Sequence, residues 1–230
     1  MKKTVLILIL VLIAVGLGVT GYFVFSDMAQ ERSLDRELAQ ISQLTASTPI
    51  DTQQVHSRLS RTVTKGDYAV VEQAIKAYLK DGFDNIERIT QILGDEKITS
   101  LLTAQNYIED GKDFVNSLNY IDSTISELRQ RADDYQTFLT GERASSYIEG
   151  KDLDEYYVEL YMSKFASDPQ QAEDQTVQDA IEEVISILST SKEILQLLAS
   201  NQNSWYVEEQ TLVFSDEELS DRYNELIAEL

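Results

Sequence analysis

His56 is the only histidine in a chain of 230 residues that has no cysteine at all. These two facts bound the chemistry open to the side chains. A Ser-His-Asp arrangement has to use His56 as its base, and no Gly-x-Ser-x-Gly nucleophile elbow accompanies it. Thiolate catalysis, disulfides and zinc-thiolate sites are excluded. Transition-metal sites are expected to need more imidazole or thiol than this chain has. Val55 and Leu59 place His56 beside an apolar stripe, with Arg58 near, and it reads as a surface or half-buried residue. No catalytic, metal-binding or cofactor-binding residue is assigned, and no binding residue is singled out.

The densest carboxylate group near aromatic residues is Asp152, Asp154, Glu155 and Glu159. Asp152-x-Asp154 opens like an EF-hand loop. That loop needs an oxygen donor at its fifth position and glycine at its sixth, where Tyr156 and Tyr157 stand. A helix start with Asp152 as N-cap and Glu155 completing a capping box accounts for the same residues. Paired carboxylates also serve glycosidases, but among 40 acidic residues some pairs must lie close by chance. Tyr147, Tyr156, Tyr157 and Tyr161 concentrate aromatic surface. Tyr156 and Tyr157 are adjacent, so one helix face cannot bury both, and tyrosine suits an interface because it joins an apolar body to a polar tip.

Gly16-Leu17-Gly18-Val19-Thr20-Gly21 matches the dinucleotide-binding G-x-G-x-x-G pattern. In that fold the glycines follow a short strand and open a helix. Here 12 mostly apolar residues precede Gly16 and more follow Gly21, so these glycines read as part of a membrane helix. Ala14 and Gly18 form a small-xxx-small pair, a route by which two spans can approach.

The elements that must position these groups begin with that run. Thr4 to Phe25 carries no charge over 22 residues. At 1.5 Å per residue it reaches about 33 Å, enough for a hydrocarbon core of about 30 Å. It reads as an uncleaved anchor; a signal peptide cleaved after Gly16 or Gly18 is the alternative. Lys2 and Lys3 lie directly before the run, which places the N-terminus inside and the bulk of the chain outside the cytoplasm.

Beyond the run there are 17 Lys and Arg against 40 Asp and Glu, a net charge of −23, because only Lys2 and Lys3 precede it. Such a surface repels nucleic-acid phosphates and anionic lipid heads, so nucleic acid is excluded as a partner. A cationic protein face or divalent ions fit better. Two prolines and nine glycines leave few breaks, and long helices are expected.

Periodicity places the helices. Leu34, Leu38, Ile41 and Leu44 form one stripe, ending before Pro49. Val55, Leu59 and Val63 form a second, closed by Gly66 with Asp67 as the next N-cap. Val71 to Leu93 keeps a 3.6-residue period, with Gly82 inside it as a point where a kink is expected. Asp95 caps a brief helix to Leu102, and the chain breaks near Asp110-Gly111. Phe114 to Leu139 follows in near-heptad spacing, closed by Gly141. Leu153 to Tyr161 marks a short helix ending before Pro169, and Val177 to Leu198 a long one. Trp205 to Phe214 alternates as a hairpin does, with Trp205 opposite Phe214 and Val207 opposite Leu212 around a Glu209-Gln210 turn that lacks residues favouring positive φ. Ser215-x-x-Glu218 reads as the capping box of a last helix.

Thr62-Val63-Thr64-Lys65-Gly66-Asp67-Tyr68, Ala74-Ile75-Lys76-Ala77-Tyr78-Leu79, Ser146-Tyr147-Ile148, Asp154-Glu155-Tyr156-Tyr157-Val158, Trp205, Phe214 and Tyr223-Asn224 together give the chain a familiar look. It resembles single-pass, membrane-anchored helical proteins of Gram-positive bacteria to which no activity is assigned. The resemblance implies an anchored, extracytoplasmic placement and carries over no functional residue.

The fold expected is mainly α, with an N-terminal transmembrane helix and an elongated helical bundle bearing one small β-hairpin. Residues 1–3 are expected as a cytoplasmic tail, 4–25 as the transmembrane helix, 26–50 as a juxtamembrane helical stalk and 51–230 as an extracytoplasmic domain. Within that domain the hairpin occupies 204–214 and the last helix 216–230. The function expected is interaction or scaffolding at the cell envelope, with the membrane and a protein as partners, and self-association as an option. A ligand-binding or sensory module with a pocket between helices is the alternative, and an envelope hydrolase the third.

Overall fold

The computed structural model describes residues 29–47, 49–165 and 170–230. The expected tail, the span 4–25 and the Gly16–Gly21 motif lie outside these residues, as does Pro169. Among the described residues no helix is long and apolar enough to cross a membrane.

The fold is mainly helical with one two-stranded antiparallel hairpin. In chain order the elements are α1 (Ala29–Thr45), α2 (Thr52–Ser60), α3 (Asp67–Leu93), α4 (Glu96–Ser100), α5 (Ala104–Asp110), α6 (Val115–Phe138), α7 (Gly141–Ser146), α8 (Glu155–Ser163), α9 (Gln170–Ser200), β1 (Trp205–Glu208), β2 (Thr211–Phe214) and α10 (Glu217–Ala228). They form two compact units where a single domain from residue 51 was expected. Of the described residues, the first takes in those up to Gln91 together with those from Arg131 to Gln178, and the second takes in Ile92–Gln130 and Asp179–Leu230.

In the first unit the apolar stripes of α1, α2 and α3 meet. Leu34, Leu38 and Ile41 pack with Val55, Leu59, Val71, Ile75, Leu79 and Phe83. The segment expected as a stalk is therefore part of a core, which follows from its stripe recurring at helical spacing and needing a partner surface. Val63, expected on the stripe of α2, lies past its end and is exposed. Asp51 caps α2, accepting from the Gln54 amide at 2.9 Å. Gly66 takes φ +59° and Asp67 is the first residue of α3 rather than its cap.

Gly82 leaves α3 unbroken and has a packing role. A Cβ at this position would come within 2.4 Å of Cζ of Phe138. The Phe138 ring lies over this glycine and stacks on Tyr78, with centroids 4.2 Å apart. α8 starts at Glu155 with Asp154, not Asp152, at the N-cap, and Asp154 makes no side-chain capping bond.

In the second unit Leu101, Tyr107, Phe114, Ile121, Leu128, Leu188, Leu195, Leu198 and Trp205 are buried. Phe114 precedes α6 in a left-handed conformation, φ +51°, with Gly111 at +77°. Asp110 satisfies the helix start, accepting from the amides of Asn116 at 3.1 Å and Ser117 at 2.7 Å. Burial alone would raise the Asp110 carboxyl; the bonds from Ser117, then Asn116, hold it below its ordinary value. The chain breaks at Asp110-Gly111 as expected, with Gly111 the C-cap of α5, a helix that was not itself expected; Gly141, expected to end α6, opens α7. The hairpin register pairs Trp205 with Phe214 and Val207 with Leu212. Glu209 and Gln210 both adopt positive φ, +47° and +64°, because the strand twist requires it of a two-residue turn. α10 is capped by Asp216, one residue beyond the expected Ser215, and Asp216 accepts from the Leu219 amide.

Candidate functional site

Three polar groupings stand out in the first unit. The most deeply buried joins Glu37 of α1 with Glu72 and Lys76 of α3, each at most 3% exposed. Glu72 and Lys76 are one helical turn apart, so both face inward with the apolar stripe. Lys76 Nζ reaches Glu72 Oε1 at 2.7 Å, Glu37 Oε1 at 3.2 Å and the Arg61 carbonyl at 2.8 Å. Arg58 and Arg61 add further bonds to Glu37. Glu72 also accepts from the Val63 and Thr64 amides and the Thr64 hydroxyl, at 2.6–3.0 Å. Burial by itself pushes both carboxyls up. For Glu37 the Arg61 bond and the Lys76 charge outweigh it, and for Glu72 the Lys76 and Thr64 bonds do. Both are held below the ordinary carboxylate value, a state suited to structure rather than to a general acid, which needs a raised value.

The second grouping lies where α2 faces α3. His56 sits between two carboxylates one turn apart on α3. Its Nδ1 is 3.8 Å from Asp84 Oδ1 and its Nε2 is 3.2 Å from Glu87 Oε2. The Phe83 ring meets the imidazole edge-on, with centroids 5.2 Å apart, and limits its rotation. All three side chains are part-exposed, between 30% and 41%. Asp84 bonds Lys80 through Oδ2, while its Oδ1 is occluded from solvent and has no hydrogen-bond partner.

The third is a cavity of about 510 Å³ lined by Asp81, Asp84, Asn85, Arg131, Asp134 and Arg143, with Thr137 and Phe138. Three buried polar atoms of these lining residues lack hydrogen-bond partners: Asp84 Oδ1, Asn85 Oδ1 and Arg131 Nε. Other charges there are paired, Arg131 with Asp134 at 3.2 Å and Arg143 with Asp81 at 3.2 Å. Tyr147 also donates to Asp81. Burial, then this bond, pushes its hydroxyl up to about 12. A smaller, apolar hollow of about 210 Å³ is lined by Ile50, Phe83, Ile86 and Thr90, below the usual size of a small-molecule site, about 300–1,000 Å³.

Of the residues weighed in the sequence, Tyr161 is fully buried and Tyr156 is 45% exposed. The Tyr156 hydroxyl donates to Glu31 at 3.0 Å and meets the Tyr68 hydroxyl at 3.2 Å. His56 is brought to Asp84 and Glu87, a meeting that sequence reasoning missed. The spacing Asp84-x-x-Glu87 on a helix was its one visible trace. Asn85, Arg131 and the buried charges carried no sequence signal, since each looks like an ordinary surface residue until the helices are paired.

No family model, curated protein or solved structure matches this chain.

Proposed function

We propose that the protein is a membrane-tethered interaction module of the bacterial cell envelope, with residues 4–25 as its single span and the helical units outside the cytoplasm. The carrying observation is the 22-residue run without charge, preceded by Lys2 and Lys3 and followed by residues of net charge −23. The placement of the two lysines next to the run supports the orientation, as does the resemblance to anchored helical proteins of Gram-positive bacteria. The acidic surface selects a protein partner with a basic face and repels nucleic acid. No catalysis is assigned. Carbonate-washed membranes should retain the full-length chain, and protease added to intact protoplasts should digest the acidic part. A mature N-terminus between Gly16 and Gln30, or protection until lysis, overturns the reading.

A second reading, a binding module for a small polar ligand, is favoured by the cavity of about 510 Å³ and the unpartnered Asn85 Oδ1 and Arg131 Nε of its lining residues. An amide such as Asn85 and a guanidinium such as Arg131 leave unmet acceptor and donor capacity, which a ligand rich in hydroxyl groups satisfies.

A further inference from the structure

We propose that His56, Asp84 and Glu87 form a binding site for one divalent transition-metal ion, zinc being favoured over manganese. This goes beyond the interaction role and does not depend on it. Each residue offers a ligand atom, and the three atoms lie within 4.8 Å of one another. Donors bound to one zinc at about 2.1 Å lie at most about 4.2 Å apart. An imidazole gives an ion one of its two nitrogens, so closing the set takes a rotation of the ring or of the carboxylate that faces the other nitrogen, and all three side chains are part-exposed.

Several features prepare the site. Asp84 and Glu87 are fixed on one face of α3 by their spacing, and α2 supplies the imidazole from across the contact. Lys80 holds Asp84 through Oδ2 and leaves Oδ1 turned toward His56. That oxygen is the one occluded from solvent with no hydrogen-bond partner, an unmet acceptor for which a cation is the direct remedy. Phe83 holds the ring edge-on. Imidazole with two carboxylates suits zinc or manganese better than magnesium or calcium, which prefer all-oxygen shells. Three protein ligands leave at least one position for water or for a donor group from another molecule. The bland alternative is an imidazolium paired with two carboxylates. It uses the same distances and needs no ion, so the test must separate the two.

His56 being the only histidine makes that separation direct. The untagged full-length chain, in detergent micelles and labelled with ¹⁵N-histidine, gives ring-nitrogen signals from this site alone. One equivalent of Zn²⁺ should move them to the metal-bound pattern. Mn²⁺ should broaden them, and Mg²⁺ or Ca²⁺ in excess should leave them in place. Asp84→Asn and Glu87→Gln should each weaken zinc binding by more than about tenfold, since even outer-shell changes cost about 10–100-fold. His56→Gln should abolish the high-affinity site in calorimetry while helicity is retained. Asp154→Asn, in the other acidic cluster, should change nothing. Ring signals unmoved by excess zinc overturn the proposal, even if zinc binds elsewhere on the acidic surface. Unchanged affinity in both carboxylate variants overturns it too. Should a variant fail to fold, the wild-type titration decides by itself.

Discussion

The two units bury different things. Among the described residues, the buried charged side chains, Glu31, Glu37, Glu72 and Lys76, all belong to the first unit. The second unit's buried polar residues are the hydroxyls Ser117, Thr124 and Ser191. Its centre is aromatic. Trp205 stacks on Phe114 with centroids 5.8 Å apart, meets Tyr107 at 6.1 Å, lies under Lys112 and donates to the Leu198 carbonyl at 2.8 Å. The contrast teaches where specificity and stability come from. Apolar and aromatic burial adds stability with little demand on direction. A buried ion pair adds little net stability, but it penalises any pairing of α1, α2 and α3 that leaves a charge alone. The polar cavity and the histidine cluster are in the unit that already buries charge.

The largest expected effect tests the aromatic side. Trp205→Ala should cost about 3–5 kcal/mol, with the Leu198 carbonyl keeping only its bond from the Asn201 amide. Chemical unfolding followed by circular dichroism measures it. A midpoint close to wild type would remove the second unit's claim to be the aromatic-stabilised one.

Lys76→Met comes next. Two buried carboxylates lose their shared ammonium, but Arg58 and Arg61 still neutralise Glu37, and backbone amides still bond Glu72. The cost should therefore fall near the lower end of the range for broken buried pairs, about 3 kcal/mol. Replacing Glu37, Glu72 and Lys76 together by apolar residues should recover most of it. If the triple variant is no better than the single one, the buried charges stabilise rather than specify.

Acid should separate the units further. Glu37 and Glu72 have folded values below the ordinary 4.5. Their contribution is thus complete above about 4.5 and is lost as pH falls through the lower folded values. Hydrogen exchange should show α1–α3 losing protection over that window, and Glu72→Gln should flatten the dependence. Equal loss in the variant would assign the acid sensitivity elsewhere.

Gly82→Ala should cost about 1–3 kcal/mol, because the new methyl meets the Phe138 ring. A Phe138→Leu background should relieve it; no relief would place the clash elsewhere. The smallest effect has the opposite sign. Changing Glu209-Gln210 to Asn-Gly should stabilise the hairpin by about 1 kcal/mol, because both positions have positive φ. An unchanged melting temperature would show that the turn carries no strain.

The helical stripes were legible because their periods are local properties of the chain. Val71 to Leu93 reads as one helix, and so it is. The hairpin register was legible for the same reason: alternation from Trp205 to Phe214 allows few pairings around a two-residue turn. Caps were less so. Asp152 and Asp154, or Ser215 and Asp216, offer similar side chains one or two residues apart, and backbone direction on entering the helix chooses between them. The partner of Trp205 was not legible either. It faces Phe214 across the hairpin, but it stacks on Phe114, while Phe214 packs on Tyr223 with centroids 5.1 Å apart.

The sequence by itself determined the helical class, the hairpin, the acidic surface and the absence of thiol chemistry. Composition, charge and short-range period suffice for these. Only the tertiary structure decided that Glu72 and Lys76 are buried, that α1 belongs to a core and that His56 meets Asp84 and Glu87. Those outcomes depend on which helix faces which, and at what rotation. A charged residue on a helix looks the same in sequence whether water or another helix covers it. The energy that decides between them comes from partners 21 to 39 residues away along the chain, as for Glu37 with Arg58 and Lys76.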